Sequence, residues 1–381
     1  MDINTGPSVL SNRYLALDVL RGMTIAFMVI VNTAGDWSNL YPPLAHASWH
    51  GFTPTDLVFP TFMFVVGNAM SFSMKKLQEM SSGDFFKKVG KRAFLIFFIG
   101  WLLNAFPFYD ISDSGEFSFI NITEVRLFGV LQRIALGYFF AAIILYLGGV
   151  KLGWIFSGVA LLGYWAIMLV FGDSADPFGL TGNAAIKLDL ALVGEDRMYG
   201  GEGIPFDPEG ILSTLPSIVN VIAGYIVGKM IQKLGNSMES IKKLIIAGAI
   251  LIVAAYAWDI LFPINKKIWT SSYVLLTVGI DMLILAVLVY IIELKKVNNW
   301  TYFFLVFGRN PLILYIASGI VITLFGMIPV GDMSLRSTIY QNLFTSWLSP
   351  KNASFFFAFS YMLLIWLIGL WMDKKRIYIK V

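Results

Sequence analysis

Long apolar runs separated by short polar stretches recur along the whole chain, at about 14–35, 54–74, 93–109, 127–149, 153–172, 211–230, 244–262, 271–293, 302–328 and 353–372. A helix needs about 20 apolar residues to cross a hydrocarbon core. The runs approach or exceed that length, and 93–109 is the shortest. The pattern predicts an all-α fold: a polytopic transmembrane helix bundle of about ten spans, forming one domain over residues 1–381. The stretch 336–348 is short and amphipathic, and fits either the interface or a re-entrant position. The first run is too long for a signal-peptide core and is expected to be the first span.

Charge gives this pattern a direction. An even number of spans puts both termini on one side, and the basic residues say which. Lys75, Lys76, Lys87, Lys88, Lys91, Arg92, Lys151, Lys229, Lys233, Lys295 and Lys374 are among 18 that fall on even linkers or tails, against six on odd linkers. Cytoplasmic segments concentrate Lys and Arg, so both termini are expected in the cytoplasm. Composition agrees: 57% of residues are hydrophobic and 14% charged, where soluble domains carry about 25% charged. The net charge of +4 is spread over short linkers, which is no nucleic-acid footprint. Absence of cysteine removes disulfides, thiol nucleophiles and cysteine–metal sites. The longest linker, 173–210, faces outward and is glycine-rich. It reads as a lid or binding loop, or as a solvated connection.

Polar groups inside apolar runs need a reason, because hydrocarbon penalises them. Asp18 and Arg21 are three residues apart and can pair along one helix face. Asn32 follows Arg21 by 11 residues, about three turns and roughly 16 Å, on that same face. Such a stripe is the wall of an internal cavity or a set of interhelical pairs. Both histidines, His46 and His50, lie in the loop after this run. Histidine suits proton transfer near neutrality, and Asp56, ten residues beyond His46, is placed to orient its ring. Spacing of four between the histidines would suit a metal only on a helix, and Pro42 and Pro43 argue for a loop, so no metal is expected. Arg126 and Arg133 flank GVLQ two turns apart, and Arg309 and Asn310 open the run near 302–328. With Arg21, Arg133 and Arg309 are candidates to meet an anionic cofactor, or to pair with Asp18, Asp56 or Asp281. Trp49 suits stacking on a sugar or an interfacial belt.

The segments LDVLRG, VN and HASWHGFTPTDLVFP, followed in order by RLFGVLQRIALGY, FDPEGILSTLPSIVNVIAGYIVGK, INKKIWTSSYVLLT and FGRNPLILYI, resemble the heparan-α-glucosaminide N-acetyltransferase family and its bacterial inner-membrane relatives. The likeness covers nearly the whole chain. Without the lumenal domain of the lysosomal enzyme, a bacterial inner-membrane homologue is expected. The resemblance implies transfer of an acetyl group from cytosolic acetyl-CoA to the amine of a terminal glucosamine across the membrane. It puts the active-site histidine at His46, with Asn32 and Asp56 beside it, and implies a homodimer. His50 stands where the lysosomal enzyme has asparagine and inherits no role. The cofactor-contact candidates are Arg21, Arg133, Arg309 and Asn310. The substrate-contact candidates are Asp18, Trp49 and Glu209.

The expected chemistry is general-base catalysis by His46, with Asn32 donating to the oxyanion and Asp56 orienting the ring. An acetyl-histidine intermediate is the rival route. Two other functions fit the same pattern: transport of an amino sugar or muropeptide without acyl transfer, and O-acetylation of an envelope polysaccharide. No pair of interrupted helices in matching halves speaks for transport.

Overall fold

All of the apolar runs are helical in the computed structural model, which describes residues 14–111 and 117–379. Arg13 and Lys380, two of the 18 basic residues counted on the even linkers and tails, lie outside the described residues. The helices are α1 (Leu15–Asn32), α2 (Val58–Gln78), α3 (Ser82–Ala105), α4 (Val130–Phe171), α5 (Ala184–Leu192), α6 (Ile211–Leu234), α7 (Met238–Asp259), α8 (Ser271–Leu288), α9 (Thr301–Arg309), α10 (Pro311–Met327), α11 (Leu335–Tyr340) and α12 (Pro350–Lys374). Strands among the described residues are confined to two short antiparallel hairpins, Tyr109–Ile111 with Phe117–Phe119 and Pro329–Val330 with Met333–Ser334.

Among the described residues, seven helices are long and apolar enough to cross a membrane, or eight if the bent α9–α10 pair is one span. The protein is therefore an integral membrane protein, but length and apolarity alone do not give ten spans. Two of the expected runs are not among those as separate spans. The first half of α3 carries Asp84, Lys87, Lys88, Lys91 and Arg92, which lowers its hydropathy. The 42-residue α4 counts once, yet Gly149 interrupts it at φ 57° and ψ −150°. A straight helix of that length would reach about 63 Å, twice a hydrocarbon core. Instead Tyr146 stacks on Phe85 at the start of α3, while Arg133 and Tyr164 both reach the other end of the bundle. The helix doubles back, and glycine makes the left-handed turn without strain.

The α9–α10 break is a second departure from the expected pattern. The two segments bend by 84° at Asn310, whose φ of −131° and ψ of 51° leave the helical region. Pro311 explains it: proline excludes α conformation at the preceding residue and supplies no N–H. Arg309 and Asn310 therefore close one helix and precede another, rather than opening a single long one. Arg126 also lies outside its expected helix, four residues before α4 begins.

Hydrogen bonds sort the linkers into two ends. At one end, Gly51 N–H donates to Ile264, Trp49 to Phe178, Lys267 to Glu202, Arg126 to Asp207 and Arg336 to Ala34. At the opposite end, Ala16 N–H and Asn236 both donate to Glu293, Tyr14 donates to Ile231 and Ser82 meets Tyr146. Linkers that share a side in the charge pattern thus share an end of the bundle.

Close helix crossings hold this frame. A Cβ on Gly67 of α2 would come 1.8 Å from the Val221 carbonyl of α6, and one on Gly224 would come 1.9 Å from that of Phe64. Gly22 of α1 would likewise meet Phe304 of α9 at 1.8 Å. Lipid offers no hydrophobic drive between helices, so small residues that allow backbone contact supply the packing.

Candidate active site

Loop 33–53 is shaped by its prolines and by a capping carboxylate. Pro42 starts one 3-10 turn (Pro42–Leu44) and Pro54 another (Pro54–Leu57) that runs into α2. Asp56, at the third position of the second turn, reaches back to the start of that turn. Its Oδ2 accepts from the Thr53 N–H at 3.0 Å and the Ala47 N–H at 3.1 Å. Its backbone carbonyl accepts from the Tyr273 hydroxyl of α8 at 2.6 Å. The remaining oxygen, Oδ1, lies 2.7 Å from His46 Nδ1.

This arrangement fixes the tautomer. An ionised carboxylate only accepts, so Nδ1 carries the proton and Nε2 keeps its lone pair. Asp56 is 1% exposed, while the His46 side chain is 40% exposed. The carboxylate is sheltered and the imidazole ring can be reached from outside.

A third group, absent from the sequence reasoning, completes the cluster. Lys266 Nζ lies 3.1 Å from His46 Nδ1, 3.2 Å from Nε2 and 4.0 Å from Asp56 Oδ1. It comes from the α7–α8 turn, 220 positions along the chain. Burial, partly offset by Asp56 and Glu209, holds its ammonium below the ordinary lysine value. A pair of lysines on an odd linker, where the charge pattern disfavours them, was the only sequence signal.

Around this cluster, Lys267 Nζ donates to Glu202 at 2.5 Å and to the Ser48 carbonyl at 2.8 Å, and faces the Trp49 ring. Trp49 Nε1–H donates to Phe178 at 2.9 Å, and its ring meets Phe206 edge-on. Both partners belong to the long linker 173–210. That linker packs Ile186, Met198 and Phe206 against Tyr164, Phe262 and Ile268, so it is anchored over the site rather than loosely solvated. Arg126 forks onto Asp207 and Glu209 at 2.7 and 2.6 Å. Burial disfavours the cation, but the two carboxylates more than offset this and raise it above its ordinary value. Asp189 of α5 is 1% exposed and accepts from Ile211 N–H at 2.9 Å. Burial, reinforced by Asp207, pushes it up to about 7.

The other candidates divide between the two ends. Asn32 ends α1 with an exposed side chain, and no hydrogen bond among the described residues joins it to His46. Glu209 is held by Arg126. Arg133 is fully buried at the His46 end, over Trp269, and donates to Gly210 and Ser213. Arg21 and Arg309 lie towards the other end, so the three arginines do not form one path. Arg21 meets Asp18 at 3.0 Å and the Gly308 carbonyl at 3.4 Å. Arg309 pairs with Asp373 at 2.5 Å, not with the aspartates expected. The Asn310 amide is taken up by the C-terminal tail at Ile377 and Ile379. Asp281 meets Thr61 rather than an arginine. His46 and His50 turn to different partners, Asp56 and Asn265.

Comparison with known proteins places this cluster in context. A family model described as heparan-alpha-glucosaminide N-acetyltransferase, catalytic, matches residues 13–255, which include His46 and Asp56. The human protein named heparan-alpha-glucosaminide N-acetyltransferase is 28% identical over 366 residues, covering 81% of this chain and 53% of its own. Its mouse counterpart is 27% identical over 360 residues, covering 80% and 53%. The chain spans about half the length of these curated relatives.

Proposed function

The chain belongs to the heparan-α-glucosaminide N-acetyltransferase catalytic family, and from that premise we propose that it is a membrane-embedded acetyltransferase of a bacterial inner membrane. It moves an acetyl group from cytosolic acetyl-CoA to the amine of a glucosamine-type sugar on the far side. The observation that carries this reading is the His46–Asp56 pair at 2.7 Å, with the carboxylate sheltered and the His46 side chain 40% exposed.

The sugar amine attacks the thioester carbonyl. A C–N bond forms as the carbonyl π pair moves to oxygen. His46 Nε2 removes the amine proton, and Asp56 stabilises the imidazolium. Collapse of the adduct breaks the C–S bond, and the imidazolium returns its proton to the thiolate. Asn32, at the same end of the bundle, is the candidate donor to the oxyanion. Trp49 and Glu209, at the same end of the bundle, are candidates to hold the sugar. Excess basic charge on the opposite linkers supports a ten-span chain with both termini and acetyl-CoA on the cytoplasmic side. Arg21 and Arg309 lie towards that side. Phosphates reaching Arg309 would have to exchange with Asp373.

The test is transfer of labelled acetate from acetyl-CoA to glucosamine by purified protein. His46→Ala is expected to lower turnover by about 10²–10⁴-fold with acetyl-CoA binding retained. Equal rates would remove His46 from the chemistry. One observation favours a second reading. A helix broken in the bundle beside Arg309 and Asn310 is a feature of transporters. Sugar uptake by vesicles lacking acetyl-CoA would support that reading instead.

A further inference from the structure

We propose that Lys266 is a further catalytic residue of this site, whose ammonium stabilises the negative oxygen of the tetrahedral adduct and the departing thiolate. The proposal rests on the acetyltransferase reading above. Its geometry comes from the turn between α7 and α8. Asn265 accepts from Ile268 N–H at 3.1 Å and its own N–H donates to the Thr270 hydroxyl at 3.0 Å. Trp269 completes the turn at φ 52°, a left-handed conformation that a bulky residue keeps only where its surroundings impose it. Here Phe59 and Tyr273 grip the ring edge-on, and Arg133 covers it. Ile264 ties the turn to the histidine loop through Gly51. Lys266 therefore has its place by construction rather than by the chance of a long side chain.

Its partners define its role. A donor nearly equidistant from both imidazole nitrogens is not aligned with the Nε2 lone pair, and it puts a positive charge 3.2 Å from that atom. Any atom exchanging a proton with Nε2 lies within reach of that charge. Asp56 is the nearest carboxylate, at 4.0 Å from Nζ, and its two oxygens already serve His46 and the loop backbone. The neighbouring Lys267 is held by Glu202 at 2.5 Å and cannot substitute. The proton balance of transfer is unchanged: His46 carries the proton from amine to thiolate, and Lys266 keeps its own.

Absence of cysteine from the chain makes a clean experiment possible. Lys266→Cys can be alkylated at that position alone, with 2-bromoethylamine to restore an ammonium or with iodoacetamide to leave a neutral group. Lys266→Cys is expected to lower kcat by 30-fold or more, with the acetyl-CoA KM changed less than threefold. Aminoethylation should recover at least tenfold of the loss, and carbamidomethylation none. Because recovery happens on protein already folded, a merely structural role cannot mimic it. Full activity in Lys266→Cys, equal recovery with both reagents, or an acetyl group found on Lys266 by mass spectrometry during turnover would each overturn the assignment. Wild-type protein that transfers nothing to any amino sugar would overturn the acetyltransferase reading itself, and this role with it.

Discussion

A buried carboxylate is tolerated only where something answers its charge, and the end of the bundle that holds His46 shows two outcomes. Asp56 is answered by backbone N–H groups and by His46, so its charge is put to use. Asp189 accepts from Ile211 N–H with Asp207 nearby, and burial pushes it up to about 7. Its folded value exceeds its ordinary 3.8, so between those values the folded chain holds a proton that the unfolded chain has released. Stability therefore falls as pH rises from about 4 through 7, by on the order of 4 kcal/mol, and then levels off. Asp189→Asn cannot ionise but can still accept from Ile211. Thermal unfolding at pH 5 and pH 8 should show a clear drop for the wild type and a flatter response for the variant; parallel responses would count against this account. At this scale His46 and Asp56 were legible, because they sit ten residues apart in one motif. Lys266 was not, because nothing local connects it to a loop 220 positions away.

Helices in this chain are limited by what their glycines and prolines allow. At the α2–α6 crossing, a methyl group on Gly67 would lie 1.8 Å from the Val221 carbonyl. Gly67→Ala must part the two helices and is expected to cost about 2 kcal/mol or more, seen as a lower melting temperature in detergent. Gly158 of α4 has open space around it, so Gly158→Ala should be neutral or stabilising by up to about 1 kcal/mol through helix propensity. If both variants melted alike, backbone contact would not be what holds the crossing. The apolar runs placed the long helices, since they record the solvent those segments meet, but not α5, which lies in the 173–210 linker. They missed the break at Asn310 because hydropathy does not see backbone geometry, although Pro311 marked it. The fold-back of α4 at Gly149 agrees with the two separate runs at 127–149 and 153–172.

Across the whole molecule, the odd linkers gather at the His46 end and the even ones at the other. Glu202→Cys and Lys88→Cys, made in the cysteine-free chain, test which end faces the cytoplasm. A membrane-impermeant maleimide should label position 202 in intact cells and position 88 only after permeabilisation; the reverse pattern would invert the topology. The sequence by itself determined that this is a helical membrane protein, where its long apolar helices lie and which family it belongs to. It also marked the motif in which His46 and Asp56 pair. Those follow from solvent preference and from residues close in the chain. Only the tertiary structure decided which linkers meet, that Lys266 stands beside His46, that Arg133 lies apart from Arg21 and Arg309, and that Asp373 and the C-terminal tail occupy Arg309 and Asn310. These depend on packing between segments distant in the chain, which local sequence does not record.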